Sequence, residues 1–323
     1  MFERKDIGLM SGLLIFLFAG LSISHAQSFP SQPVKIVVPF APGGSTDVGA
    51  RIINAKLSEM WGQSVLVDNR AGATTIIGTD FVAKAPADGY TLLMTSTAFV
   101  VNPTMFTKLP YDSLVDLVPI TIVSVSPFAI VAANNFPAKS VKELIELERA
   151  KPGSLAFGTS DSSAAYAGYL FNFLAKTSLE SISYKGAAPM MTDLAGGHAP
   201  LGIAAVSSVQ AQVKAGRVRI LGVSAKKPSF LFPDAPALAQ GDLADFDVTT
   251  WFGLFAPKGT SKEVVNKIQR DVAKVLSDPD IKKRFADIGA ETGGQTPEEF
   301  AAQVRREMVL WARVAKAANV KPN

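Results

Sequence analysis

Two stretches rich in glycine and hydroxyl side chains stand where an apolar, strand-like run gives way to a helical one. The first is Phe40-Ala41-Pro42-Gly43-Gly44-Ser45-Thr46-Asp47, just after the run Val34-Lys35-Ile36-Val37-Val38. A helix start leaves backbone N–H groups without intrahelical partners and carries the positive end of the helix dipole. Gly43 and Gly44 permit a sharp turn and a close backbone approach, and Ser45 or Thr46 can cap the helix or donate to an anion. The combination suits a carboxylate or phosphate. The same residues also make an ordinary turn and an ordinary N-cap run, and the loop alone does not separate the two uses. It lacks the Gly-Lys-Ser/Thr ending of a nucleotide-binding loop and the G-x-G-x-x-G spacing of a dinucleotide fingerprint. The second stretch, Gly158-Thr159-Ser160-Asp161-Ser162-Ser163-Ala164-Ala165, follows another apolar run in the same way. Two such helix starts facing each other across a cleft would grip one anion without an arginine.

Covalent chemistry has less to work with. The chain has no cysteine and two histidines, His25 and His198. Thiolate catalysis and zinc–thiolate sites are therefore excluded. Ser24-His25-Ala26 follows the apolar run Ile7 to Ile23 and has the small-x-small form of a signal peptidase site. Residues 1–26 are accordingly expected to be a signal peptide cut after Ala26, an uncleaved anchor being the competing reading. Removal of His25 would leave only His198, in the loop Ala195-Gly196-Gly197-His198, and no two-histidine metal site. A nucleophile at Ser45, Ser160 or Ser162 would need a base within reach, and no G-x-S-x-G elbow is present. A hydrolase or transferase using these serines is the rival to a binding protein that catalyses nothing. No cofactor and no metal are expected.

The elements that would position these loops alternate between strand-like and helical patterns. The strand-like runs include "VKIVV", "SVLVDN", "YTLLMTS", "ITIVSV", "FAIVAA", "SLAFGTS", "SISY", "PLGIAAV", "VRILGVSA" and "TTWFGLFAP". Ser140-Val141-Lys142-Glu143, Thr260-Ser261-Lys262-Glu263 and Thr296-Pro297-Glu298-Glu299 mark three helix starts. The alternation argues an α/β fold with mainly parallel sheets flanked by helices. The helix after the first loop is expected to turn Val48, Ile52 and Ala55 inward, and the helix after the second Tyr166, Leu170 and Phe173. The two strand–loop–helix units suggest two lobes of similar plan, with ligands at the carboxyl ends of their strands. The chain is 323 residues long, 48% hydrophobic and 19% charged, with a formal net charge of +4. Its cations are scattered, without the basic face that a nucleic-acid reader needs.

These stretches resemble the solute receptors of tripartite tricarboxylate transporters, the Bordetella uptake gene (Bug) family. The likeness begins with "VKIVVPFAPGGSTD" (34–47) and continues through "DNRAG" (68–72), "APADGYTLLM" (85–94), "NPTMFTKLPYD" (102–112) and "FPAKSVKEL" (136–144). It goes on in "SYKGAAPMMTDLAGGH" (183–198), "VKAGRVRILGVSA" (213–225), "WFGLFAPKGT" (251–260) and "GAE" (289–291). The resemblance implies a two-lobed periplasmic binding protein of type II with a ligand cleft between the lobes. One lobe would comprise 27–127 and 250–323, and the other 128–249, the chain crossing near Pro127 and Thr250. It implies a monomeric periplasmic receptor that binds a small organic carboxylate and delivers it to membrane transporter components. A sensory receptor that docks on a signalling partner would have the same cleft.

Carried over by position, the first ligand loop is Phe40, Ala41, Pro42, Gly43, Gly44, Ser45, Thr46 and Asp47. The second is Thr159, Ser160, Asp161, Ser162 and Ser163, aided by Tyr184, Lys185 and Gly186, by Ser96 and Thr97, and by Ala205 and Ser207. Lys185 is expected to shape the pocket through its backbone, together with Gly186. Arg51 and Arg70 are expected to be structural ion-pair partners, and Asp47 and Asp161 to serve as caps. Phe40, Phe99 and Tyr166 leave room for an aromatic acid. This sequence departs from the common family pattern at Ala71 to Ile76, where many members have Gly-Gly-Asn, and at Ala204-Ala205. Both departures are expected near the cleft.

Overall fold

The computed structural model describes residues 29–229, 231–317, 320 and 322. The expected signal peptide lies outside the described residues. The described residues from Gln32 onward form one compact unit.

Short, β-branched-rich segments form the first strands, as their composition favours. They are β1 (Val34–Val38), β2 (Val65–Asn69) and β3 (Thr91–Ser96). Each leads into a helix: α1 (Ser45–Trp61), α2 (Ile76–Ala83) and α3 (Ala98–Met105). β1 pairs in parallel with both β2 and β3. α1 ends at Gly62 in the left-handed conformation, φ 62°, the common helix stop.

β4 (Leu117–Ala133) departs from the expected pattern. The runs "ITIVSV" and "FAIVAA" are one strand of 17 residues passing through Pro127. Up to Pro127 its partners are β9 (Thr249–Pro257) and the short β10 (Glu291–Thr292), and from Phe128 onward its partners are β7 (Leu201–Ala205) and β8 (Val218–Val223). A proline cannot donate to a ladder and normally marks a strand end. Here it sits where the strand changes partners.

Beyond β4 the plan repeats. α4 (Val141–Ala150), β5 (Ala156–Thr159), α5 (Ser162–Ala175), β6 (Glu180–Ser183), α6 (Ala187–Ala195) and α7 (Val206–Lys214) complete the part containing β7 and β8. β5 is parallel to β6 and β7. α8 (Lys262–Ser277), α9 (Pro279–Asp287), β10 (Glu291–Thr292) and α10 (Pro297–Ala317) return to the first part. The strands that lead into the hydroxyl-rich loops have parallel partners, whereas β4, which passes from one part to the other, and β9 pair antiparallel with every neighbour. The main path is β2-β1-β3-β9-β4-β7-β5-β6, with β8 and β10 also on β4.

Alternation along β4 covers both faces of the second part. Phe128, Ile130 and Ala132 enter one core with Phe157, Phe171 and Leu201. Ala129, Val131 and Ala133 enter another with Met190, Leu194 and Val209. This is the period of two of a strand buried on both sides. The core of the first part gathers Val37, Leu93, Phe99, Phe255 and Phe300.

The helix faces differ in part from the expected ones. In α1 Ile52 is buried as expected, but Ala55 is exposed and Gly49, Ile53 and Leu57 are buried as well. In α5 Ala164, Ala167, Phe171 and Ala175 face their own core, and Phe173 is exposed. Tyr166 is fully buried in the core of the first part instead, edge-on to Trp311 at 5.4 Å and hydrogen-bonded to Thr104. α5 has apolar residues on two faces because it packs against both parts.

Candidate functional site

Four helix starts converge on one cavity. Its wall includes Gly44, Ser45 and Thr46 from α1, Ser160 and Asp161 before α5, Ala187 in α6, and Ala205 and Ser208 at α7. Phe40, Phe128, Thr250 and Phe252 complete the lining of a narrow space of about 20 Å³. Each helix follows a strand of a parallel set, so its positive end and unpaired N–H groups lie at the carboxyl ends of the strands. Among the described residues no lysine or arginine lines the cavity, and the one ionisable side chain on it is Asp161.

The first loop owes its form to Asp47, which lies in the first turn of α1. Its carboxylate accepts the Gly43 N–H at 2.9 Å and the Asn69 amide at 3.0 Å. Arg51 Nε approaches both oxygens at 3.1 Å. Asn69 also donates to Phe40 O at 3.1 Å, fixing the start of the loop. Burial pushes the Asp47 carboxyl up, but the hydrogen bonds from Arg51, Gly43 and Asn69 outweigh it and hold the group below the usual carboxylate value. Gly43 has φ +88°, the left-handed region that disfavours side chains. Asp47 is thus an internal brace for the turn. It is absent from the cavity wall, as are Ala41, Pro42 and Gly43.

Contacts cross the cavity from one part to the other. Ser45 Oγ meets Ser207 Oγ at 2.6 Å and also contacts Ser208 Oγ, while the Ser45 N–H donates to Ser208 Oγ at 3.3 Å. The Ala41 N–H donates to the Lys185 carbonyl at 3.2 Å. Gly186, φ +131°, precedes α6, and a Cβ there would stand 3.4 Å from Ala41 N. The Lys185 side chain is exposed, so its contribution is the carbonyl. Ser96 Oγ donates to Asp161 Oδ2 at 2.7 Å.

The second loop is arranged differently. Asp161 is the N-cap of α5 and accepts from the Ala164 N–H at 2.9 Å and from Ser163 Oγ at 2.6 Å. Ser162 points out of the loop and donates to Asn102 Oδ1 at 2.6 Å. Asn102, fully buried, donates in turn to Thr74 O and Thr75 Oγ1.

The other expected site residues lie around the cavity and not on its wall. Thr97 ties the end of β3 to β9, its hydroxyl accepting from the Trp251 N–H at 3.0 Å. Thr159 is buried at the end of β5, and the Tyr184 hydroxyl donates to Asp193 at 2.9 Å. Ser207 meets Ser45 as described, and its N–H donates to Ser126 Oγ. Arg51 braces Asp47, while Arg70 pairs with Asp68 at 2.9 Å and covers the Phe81 ring. Of the three aromatics considered for an aromatic acid, only Phe40 is on the wall. Phe99 packs on Phe255 at 4.6 Å between centroids, and Tyr166 belongs to the core.

The departure at Ala71 to Ile76 is one residue removed from the site. Its turn places Ala73, Thr74 and Thr75 all at positive φ and touches Asn102, which carries Ser162. Of the alanine pair, Ala204 is buried in its core and Ala205 faces the cavity.

Sequence reading missed Phe128, Ala187, Ser208, Thr250 and Phe252 on the wall. Thr250 and Phe252 are two apart on β9 and share a face, a spacing readable in the run "TTWFGLFAP". Ser208 adjoins the expected Ser207. Phe128 gave no signal apart from the proline before it.

Comparison with known proteins agrees with this fold. Residues 49–320 match the model of the tripartite tricarboxylate transporter family receptor. The protein BugT of Bordetella pertussis is 34% identical over 300 residues, covering 92% of each chain. The solved periplasmic binding protein BugD superposes with TM-score 0.87 at 32% identity, covering 91% of this chain and 100% of its own. A Rhodopseudomonas palustris protein solved with adipate gives TM-score 0.88 at 33% identity, over 91% and 100%. MatC from the same organism, solved with bound malate, gives 0.84 at 28% identity, over 88% and 99%. The fold is the two-lobed periplasmic binding protein fold, and the chain belongs to the tripartite tricarboxylate transporter receptor family, as a solute-binding receptor and not an enzyme.

Proposed function

We propose that this receptor binds a small organic carboxylate in the cavity and delivers it to the membrane components of a tripartite tricarboxylate-type transporter. The observation that carries the reading is the convergence of four helix starts, with the hydroxyls of Ser45, Thr46 and Ser208, on a space that no lysine or arginine lines. Backbone N–H groups and helix dipoles hold an anion without a counter-ion, and they do so best where water is excluded. The neighbours solved with adipate and malate support a carboxylate.

The ligand carries no ammonium group. A buried ammonium needs a carboxylate partner, and Asp47 and Asp161 already serve the backbone and neighbouring hydroxyls. The lobes are 27–127 with 250–323, and 128–249. Their hinge is β4 at Pro127–Phe128 together with the start of β9, where strand pairing changes sides. Residues 1–26 are removed on export and the protein works in the periplasm as a monomer.

Thermal denaturation with a panel of organic acids tests the reading. A ligand at a hundred times its dissociation constant should stabilise the fold by about 2.7 kcal/mol. No shift with any acid, or accumulation of a product, would refute it. Aspartate or glutamate binding tenfold better than every ammonium-free acid would refute the ammonium-free ligand. Amino-terminal sequencing of periplasmic material should begin at Gln27.

A further inference from the structure

Asp161 is the one charged side chain on the cavity wall, and it is 7% exposed. Its carboxylate caps α5, accepting from the Ala164 N–H, and also receives the hydroxyls of Ser163 and Ser96. A carboxylate at this place takes up the positive end of the helix. The start of α5 therefore presents a negative charge to the cavity, where the start of α1 presents N–H groups. The α1 side differs because Asp47 faces away from the cavity and is paired with Arg51. No cation on the wall offsets Asp161. An anion is favoured at the α1 and α7 starts, beside Ser45 and Ser208, and a second anion beside Asp161 would meet a like charge that no cation on the wall offsets.

The remaining wall is largely apolar. Phe40, Phe128 and Phe252 come from three different elements and are 6%, 3% and 4% exposed. Phenyl rings favour a flat apolar body by stacked or edge contacts. We infer, resting on the receptor reading above, that the preferred ligand is a monocarboxylate with a flat apolar body. Asp161 is the specificity-determining residue that disfavours dicarboxylates. The charge of Asp161 is met by three hydrogen-bond donors and a helix start, so the ligand brings no cation to it.

Calorimetry on the native mature protein and on Asp161→Asn, with benzoate, phenylacetate, adipate and glutamate, tests this. Asparagine is as good an N-cap as aspartate, and the Ser96 hydroxyl can accept where it now donates. The native protein should bind benzoate or phenylacetate at least tenfold more tightly than adipate. In Asp161→Asn that ratio should narrow at least tenfold. The inference is overturned if adipate binds the native protein as tightly as benzoate, or if the ratio is the same in both proteins. Glutamate binding tightest to the native protein and weakly to the variant would also overturn it, because the charge would then be an ammonium partner. If the variant does not fold, the native ratio alone decides. Native protein that binds none of the four while another acid shifts its melting refutes this inference and leaves the receptor reading standing; silence from every acid refutes both.

Discussion

The two hydroxyl-rich loops share a plan, strand to turn to helix, yet handle their acidic residue in opposite ways. Asp47 sits inside α1, receives Gly43, Asn69 and Arg51, and braces the turn from behind. Asp161 sits at the cap of α5, receives only neutral donors, and faces the cavity. The difference follows from three residue positions. An acid in the first turn can reach back to the loop N–H and forward to Arg51 one turn later, while an acid at the cap is held at the helix mouth. One loop therefore offers N–H groups and the other offers charge.

The largest expected effect comes from closing the first loop to ligand. Gly44 lines the cavity, and a Cβ there would meet nothing closer than 3.9 Å. Gly44→Val should fold, since its φ of −80° suits any residue, but the branched methyls enter the cavity. Affinity should fall roughly a hundredfold, about 2.8 kcal/mol; unchanged calorimetric affinity would place the ligand elsewhere.

Removing the brace should act on stability first. Asp47→Ala leaves the Gly43 N–H without its acceptor and Asn69 with only Phe40 O, at a cost of about 2 kcal/mol by denaturant titration. The loss is moderated because Arg51 is half exposed and can be resolvated. The carboxyl is held below its ordinary value of 3.8 in the folded protein, so the unfolded chain takes up protons first as pH falls. The stabilisation by Asp47 is complete above the unfolded value and disappears as pH drops through the lower folded one. The acid limb below about pH 4 should therefore flatten in Asp47→Ala; an identical limb would argue against the brace.

Glu307 has the opposite sign. Burial pushes its carboxyl up, only partly offset by Trp251 Nε1 and Gln303 Nε2, each at 2.8 Å. The folded protein holds this proton more tightly, so the favourable contribution is present below the unfolded value and is lost as pH rises through the folded one. Glu307→Gln should be more stable than the native protein at neutral pH by about 1 kcal/mol or less, with no gain below pH 4. A destabilised variant at pH 7 would show that the charged form is the better partner for Trp251.

The smallest effect is expected at Lys185, whose carbonyl receives Ala41 while its side chain stays in solvent. Lys185→Ala should change affinity less than about threefold, or 0.6 kcal/mol. A tenfold loss would give the second part a cation for the ligand after all.

Much of the site was legible because it is local. The capping pairs Ser140–Glu143 and Thr296–Glu299 form within three residues of each other and appear as expected. Both hydroxyl loops end at helix starts, and Arg51 and Arg70 are paired within four residues. The helix faces were less legible. Tyr166, Leu170 and Phe173 follow a helical period, but α5 packs on two parts, so Tyr166 enters one core, Phe171 the other, and Phe173 neither. Periodicity identifies an apolar face only where a single face is buried.

By itself the sequence determined the α/β alternation, the helix starts and the chemical character of the loops, because each depends on residues within about a turn of one another. The tertiary structure alone decided that "ITIVSV" and "FAIVAA" are one strand through Pro127, that Phe128, Thr250 and Phe252 reach the wall, and that Ser45 meets Ser208. These outcomes depend on which distant strands pair and on which side of each strand the cavity opens. A one-residue change in register would turn every one of those side chains away, and no local pattern carries that information.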